Sequence, residues 1–150
     1  HFSCGKDSDE DVGTTGYHRD VAQQAGLTTR FVYIEDIGWA DDAQCFVDGD
    51  RAEISTLCKL YPWEWLIADE FGPHLMQTKM RVIEPPWKLL LSNKGLLPIL
   101  WELYPDHPNL LAASFDRFRV SGDYFQTPMY SRQGPNVPNY PDGVVLRRAR

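Results

Sequence analysis

Four polar residues, Ser92-Asn93-Lys94-Gly95, interrupt an apolar stretch running from Glu84 to Pro105 (EPPWKLLLSNKGLLPILWELYP). Ser92 is a good helix N-cap residue. With Ser92 as cap, Asn93, Lys94 and Gly95 fall in the first turn of a helix that Pro105 stops. The free N–H groups and the positive end of the helix dipole gather in that turn. A lysine added there is electrostatically unfavourable unless an anion is bound, which points to phosphate chemistry. The alternative is a lysine that faces water. The spacing is not that of a Walker A loop. A second group lies in SRQGPNV, Ser131 to Val137. There Arg132 is a bidentate donor for carboxylate or phosphate, Gly134 permits close backbone approach, and Asn136 adds an amide. By itself this segment reads equally as an exposed loop.

Other chemistry-bearing residues lead elsewhere. Asp7, Asp9 and Asp11 alternate as the first ligands of a calcium loop would, but Val12 occupies the turn position and His18 the closing one. The expectation is a solvated acidic loop ahead of a helix, and no metal site. His18, His74 and His107 show no paired spacing and read as surface or packing residues. Trp63-Glu64-Trp65 places two tryptophans on different faces of a helix and reads as packing. Cys4, Cys45 and Cys58 are an odd number without metal-type spacing, which reads as reduced thiols in a cytoplasmic protein.

The elements that must position these residues follow from pattern. The 150 residues suffice for a packed core, since 43% are hydrophobic and five are tryptophan. A net charge of −6 gives no footprint for nucleic acid, and no apolar run approaches the roughly 20 residues of a membrane span. His1 to Cys4 reads as a short strand. Lys6 to Gly13 reads as a loop. A helix capped by Thr14 or Thr15 follows, with an apolar stripe of Tyr17, Val21 and Ala25, Ala22 beside them, and with Gly26 closing it. Arg30 to Ile34 (RFVYI) is a strand, so the order is that of a parallel α/β unit. Cys45 to Val47 and Ala52 to Ile54 flank Asp48-Gly49-Asp50 as a hairpin. LYPWEWLIADEFG reads as a helix with Pro62 at its start and Gly72 at its end. Arg81 to Glu84 is a strand, Leu96 to Leu103 a helix, and Tyr124 to Tyr130 a strand.

EPPWKLLLSNKGLLPILWELYPDHPNLL resembles the glutathionylspermidine synthetase family of ATP-grasp ligases, its stand-alone synthetase-like branch in particular. KDSDEDVGTTGYHRDVAQQAGL, KLYPWEW and YSRQGPNV fit the same family in the same order. The resemblance implies an ATP-dependent ligase that phosphorylates a carboxylate to an acyl phosphate, which an amine then attacks. ATP and Mg²⁺ are the implied cofactors, with the metal ligands outside this chain. Glutathione or a peptide-like acid, and a polyamine-like amine, are the implied substrates. Lys94, Pro128 and Gly134 are implied on the ATP side, and Arg132 and Asn136 on the substrate side. Three departures stand out. Thr127 precedes Pro128 where the family carries a lysine. Leu60 and Trp65 stand where glutathione-using members carry threonines. Pro138 to Arg150 does not resemble the family.

The resulting expectation is an α/β chain in three parts: a substrate-side region at residues 1–84, the start of an ATP-grasp region at 85–137, and a tail at 138–150. The opening on His1 and the charged close suggest a piece of a longer protein. Such a piece would expose apolar surface and could self-associate. By itself it would not turn over ATP. A degenerate, non-catalytic binding or interaction module is the alternative. A Rossmann dinucleotide enzyme fits less well, because no Gly-x-Gly-x-x-Gly occurs.

Overall fold

The computed structural model describes residues 1–119, 124–130 and 143–147. The chain divides into two units, His1–Pro86 and Trp87–Arg150.

The first unit is built on the β-branched and aromatic runs. Strands β1 (Phe2–Cys4), β2 (Phe31–Tyr33), β5 (Thr56–Leu60) and β6 (Arg81–Ile83) form one sheet of order β2-β1-β5-β6, and every pairing in it is parallel. Helix α1 (Asp9–Gln24) connects β1 to β2, as the strand–helix–strand pattern requires. It starts earlier than expected. Ser8 is the N-cap and its hydroxyl accepts from Asp11 N at 3.2 Å, so the acidic run Asp9-Glu10-Asp11 is the helix's first turn. Carboxylates belong there, at the positive end of the dipole. The inward face is also corrected. Tyr17 and Val21 are exposed, Thr15 is buried, and Gly16, Arg19 and Ala22 are half-buried. The helix ends where expected, on Gly26 at φ +84°, a conformation open to glycine.

An antiparallel pair, β3 (Gly38–Ala40) and β4 (Cys45–Val47), follows β2. The hairpin expected across Asp48-Gly49-Asp50 is present as one antiparallel bridge, Val47 to Glu53, with main-chain bonds from Asp48 N to Ala52 O at 3.0 Å and from Ile54 N to Phe46 O at 2.8 Å. Its turn is also held by a buried carboxylate. Asp48 Oδ1 accepts from Asp50 N and Ala52 N, and Oδ2 from Arg30 Nη1 at 2.7 Å, with His1 Nε2 at 3.1 Å. Val32, Phe46, Ile54 and Leu57 make the core beneath, joined by Trp39, Phe71 and Met80. Helix α2 (Trp63–Ala68) is shorter than expected. Pro62 is its N-cap, and Gly72 opens a 3₁₀ segment, Gly72–Met76, instead of closing the helix. The two tryptophans do point apart: Trp63 is buried and Trp65 is exposed.

Burial alone would push the Asp48 carboxyl up. The Ala52 N–H, the Arg30 guanidinium and the Asp50 N–H together outweigh it and hold the carboxyl below the ordinary aspartate value of 3.8. A carboxyl depressed by folding stabilises the folded state above its unfolded pKa and loses that contribution as pH falls through the folded one. Asp48→Asn should therefore cost about 1–3 kcal/mol at pH 7. The difference from wild type should begin to shrink below about pH 4, where the aspartate of the unfolded chain takes up its proton, and should be lost only below the depressed folded pKa. Urea melts of both proteins at pH 7 and pH 3 measure this. An equal gap at both values would mean that the charge is not what holds the turn.

The second unit holds helix α3 (Leu96–Leu103) and a three-stranded antiparallel sheet of order β7-β9-β8, from β7 (Ala113–Ser114), β8 (Tyr124–Pro128) and β9 (Gly143–Arg147). Residues Pro86–Leu91 form a 3₁₀ segment ahead of α3. Trp87, Leu90, Leu103 and Phe118 are exposed in this unit. Among the described residues no helix is long and apolar enough to cross a membrane.

Candidate functional site

Lys94 lies in the turn that leads into α3, among the following contacts. The N-cap is Gly95, not Ser92, whose hydroxyl turns back to donate to Leu89 O at 3.1 Å. The preceding 3₁₀ segment leaves that carbonyl within reach, and the hydroxyl satisfies it instead of capping. Lys94 is thus one residue ahead of the cap, and its own carbonyl accepts from Leu97 N at 3.0 Å. Its main-chain N–H donates to Met129 O at 2.9 Å, and its ammonium donates to Thr127 Oγ1 at 2.7 Å. Thr127 is buried in β8. A Cβ at Gly95 would lie 2.8 Å from Asn93 Oδ1 and 3.2 Å from Met129 Cε, both ends of side chains. The helix does end at Leu103, two residues before Pro105.

Pro128 ends β8, opposite Gly143 of β9 and next to Thr127. The structure therefore brings Lys94, Thr127 and Pro128 into one place. Arg132, Gly134 and Asn136 lie outside the described residues.

In the first unit, the C-terminal ends of the parallel strands gather a set of residues that sequence pattern alone did not connect. β1 has β2 on one side and β5 on the other, so the chain changes direction across the sheet at β1. In open α/β sheets the crevice beyond such a point is where ligands bind. Beyond β1, Lys6 N donates to Glu35 Oε1 at 3.1 Å, and Lys6 Nζ pairs with Asp36. Beyond β5, Tyr61 packs edge-on against Trp65 with ring centroids 5.6 Å apart. Burial, then the neighbouring Asp69 carboxylate, pushes the Tyr61 hydroxyl pKa up, so it stays protonated. Lys59 is buried with its ammonium 4.4 Å from the Trp63 ring centre and donating to Tyr61 O at 2.7 Å. Leu60 is the last residue of β5, at this same end. The signal in the sequence was the acidic residues flanking β1 and β2. Their convergence depends on strand order.

No group of three or more His, Cys, Asp or Glu side chains among the described residues is placed to hold a metal ion. Cys4, Cys45 and Cys58 are free thiols, and burial raises the pKa of Cys4 and Cys58.

A four-stranded parallel sheet in the first unit and a three-stranded antiparallel sheet in the second define a mixed α/β protein. All 150 residues match the model of one family, described as glutathionylspermidine synthase preATP-grasp, and the chain belongs to that family. A Haemophilus influenzae protein named "Putative acid--amine ligase" is 43% identical over 144 residues, covering 93% of this chain and 37% of that protein. Glutathionylspermidine synthase of Crithidia fasciculata is 28% identical over 170 residues, covering 93% of this chain and 24% of its own length. The bifunctional glutathionylspermidine synthetase/amidase of Escherichia coli is 29% identical over 164 residues, covering 91% of this chain and 26% of that enzyme. The chain thus spans between about a quarter and two fifths of the length of these relatives.

Proposed function

We propose that this chain serves an ATP-dependent carboxylate–amine ligase, with the first unit on the substrate side and the second contributing the start of the nucleotide site. The observation that carries this is Lys94, whose ammonium and main-chain N–H are both tied to the end of β8 at the entry to α3. In such a reaction a carboxylate oxygen of the acid bonds to the terminal phosphorus of ATP while the bond to the bridging oxygen breaks. The amine nitrogen then bonds to the acyl carbon, phosphate departs with the bonding electron pair, and the nitrogen loses a proton to solvent. Lys94 would meet phosphate charge in the first step. Pro128 and Gly134 belong to the same ATP side, and Arg132 and Asn136 to the acid substrate.

The relatives' names point to glutathione-like acids and polyamine-like amines. Leu60 and Trp65, apolar at the carboxyl end of β5 and on α2, favour an acid other than glutathione. The free thiols suit a reducing, cytoplasmic setting.

A second reading is a binding module without catalysis, and Thr127, a neutral residue where the family resemblance implies a lysine, favours it. Two measurements separate the readings. Calorimetric titration with ATP and magnesium should show binding under either. Phosphate release with ATP, glutathione and spermidine should stay at background for these 150 residues by themselves, since the family resemblance implies magnesium ligands outside them. Absence of ATP binding would overturn both readings. Release above background that disappears in Lys94→Ala would show that the chain is a complete catalyst.

A further inference from the structure

We propose that the first unit carries a binding site for a small aliphatic primary amine, whose short carbon branch fills an apolar cavity between β5 and α2 while its ammonium stays at an acidic rim. The site goes beyond the ligase reading and depends neither on Lys94 nor on ATP.

The cavity sets the size. It has a volume of about 40 Å³ and is lined by Leu57 of β5, Leu66 of α2, Leu75 of the 3₁₀ segment, Ile34 and Phe46 among others, with Asp69 as its single charged residue. A water-sized sphere takes about 10–15 Å³ of such volume, so roughly three carbon atoms fit. Benzene enters an apolar cavity of about 150 Å³, so an aromatic ring is too large here. Apolar cavities stay dry and take apolar solutes. Each methylene that leaves water for this one should tighten binding about fourfold. Asp69 is the single exposed residue of the lining, which puts the mouth there.

The rim sets the charge. Asp69 neighbours the Tyr61 hydroxyl, and Tyr61 leads from the mouth to the carboxyl end of the sheet. A Cβ built on Gly5 would lie 2.8 Å from Asp7 Oδ1, 3.5 Å from Glu35 Oε1 and 3.8 Å from the Tyr61 ring, so these groups converge on one point. The carboxylates of Asp69, Glu35 and Asp7 all act on that hydroxyl and push its pKa up. Of the lysines nearby, Lys6 pairs with Asp36, and Lys59 donates to Tyr61 O and lies over Trp63. Asp7, Glu35, Asp36 and Asp69 thus outnumber Lys6 and Lys59, and the rim favours a cation. A primary ammonium offers three donors to such acceptors. A second ammonium at the far end of the carbon chain would have to enter the apolar cavity, which is costly without a partner. The fitting ligand is therefore a branched monoamine.

The test uses the 150-residue chain with leucine methyl groups labelled for NMR. The probes are xenon, isobutylamine, methylamine, isobutanol, 1,4-diaminobutane and benzylamine. Xenon should shift the methyl signals of Leu57 and Leu75, and isobutylamine should shift the same signals along a saturating curve. Isobutylamine should bind at least tenfold tighter than methylamine. It should bind at least threefold tighter than isobutanol, 1,4-diaminobutane or benzylamine. Asp69→Asn should weaken isobutylamine at least threefold and leave isobutanol within twofold. Leu75→Phe, which fills the cavity, should abolish the xenon shifts. If that variant does not fold, the wild-type comparison decides, since it needs no substitution. Absence of xenon or isobutylamine shifts at these methyls overturns the proposal, as do xenon shifts that persist in a folded Leu75→Phe. So does 1,4-diaminobutane binding as tightly as isobutylamine, which would reduce the site to its acidic rim. Equal binding of isobutanol, or unchanged isobutylamine affinity in Asp69→Asn, overturns it too, because the cavity would then recognise no ammonium.

Discussion

Gly72→Ala should unfold the first unit at temperatures where the wild type is intact. Gly72 is buried where α2 gives way to the 3₁₀ segment, and its N–H donates to Asp69 O at 2.9 Å. A Cβ at this position would sit 2.1 Å from the main-chain oxygen of Ile67 and 2.7 Å from its carbonyl carbon. Those are backbone atoms of α2, so no side-chain rotation relieves the clash. The helix itself must move, and with it Trp63, which α2 carries into the interior. Overpacking typically costs about 1–3 kcal/mol, and a contact this close against backbone belongs at or above the top of that range. For a unit of this size that is a fall in Tm of more than about 10 °C. Gly49→Ala supplies the control, because a Cβ there meets nothing within 4 Å. Circular dichroism melts of the three proteins decide the matter. Equal melting of Gly72→Ala and wild type would mean that α2 is not packed at this position as described.

Lys94→Ala should weaken ATP binding by about 10- to 100-fold, the range that follows from losing one charged hydrogen bond of roughly 1.5–3 kcal/mol. The substitution also leaves the buried Thr127 hydroxyl without its donor, so the melting temperature must be measured on the same sample. Lys94→Arg makes the sharper comparison. It preserves the charge but presents a planar, longer group that cannot repeat the 2.7 Å contact to Thr127 in the same geometry. Arginine should therefore recover part of the affinity and less than all of it. Wild-type affinity in Lys94→Ala would remove this lysine from the nucleotide site. Full recovery in Lys94→Arg would show that charge alone suffices.

Much of the architecture was legible in the sequence, and the failures have physical causes. Phe31–Tyr33 is a β-branched and aromatic run, and its separation from Phe2–Cys4 by a helix-length segment announced the parallel pair. Helix α3 was bounded by its own apolar run and Pro105. The start of α1 was misplaced because three acidic residues in a row resemble a solvated loop. The capping relation between Ser8 and Asp11 was the available signal. Its inward face was misassigned because Tyr17 and Val21 are among the apolar residues of the helix, whereas the residue it buries is the polar Thr15. Gly38–Ala40 carries little strand propensity and was not anticipated as the partner of β4. At the candidate site, Lys94 was singled out from its neighbours in the chain. Its contact with Thr127 joins residues on separate elements, a pairing that no local pattern encodes.

The order of the parallel sheet also bears on how the chain comes into being. β1 is made before the other strands of its sheet, yet it ends up flanked on both sides, and its pairing of Phe2 with Cys58 awaits a strand far downstream. With translation at about 5–20 residues per second, β1 and β2 emerge seconds before β5 is available to cover the second edge of β1. During that interval Phe2, Ser3 and Cys4 present unpaired backbone groups to any strand nearby. Assembly of this unit is therefore dominated by distant pairings and belongs with the slower-folding topologies. The nascent chain is most exposed to wrong partners before Leu57 and its neighbours arrive to complete the sheet.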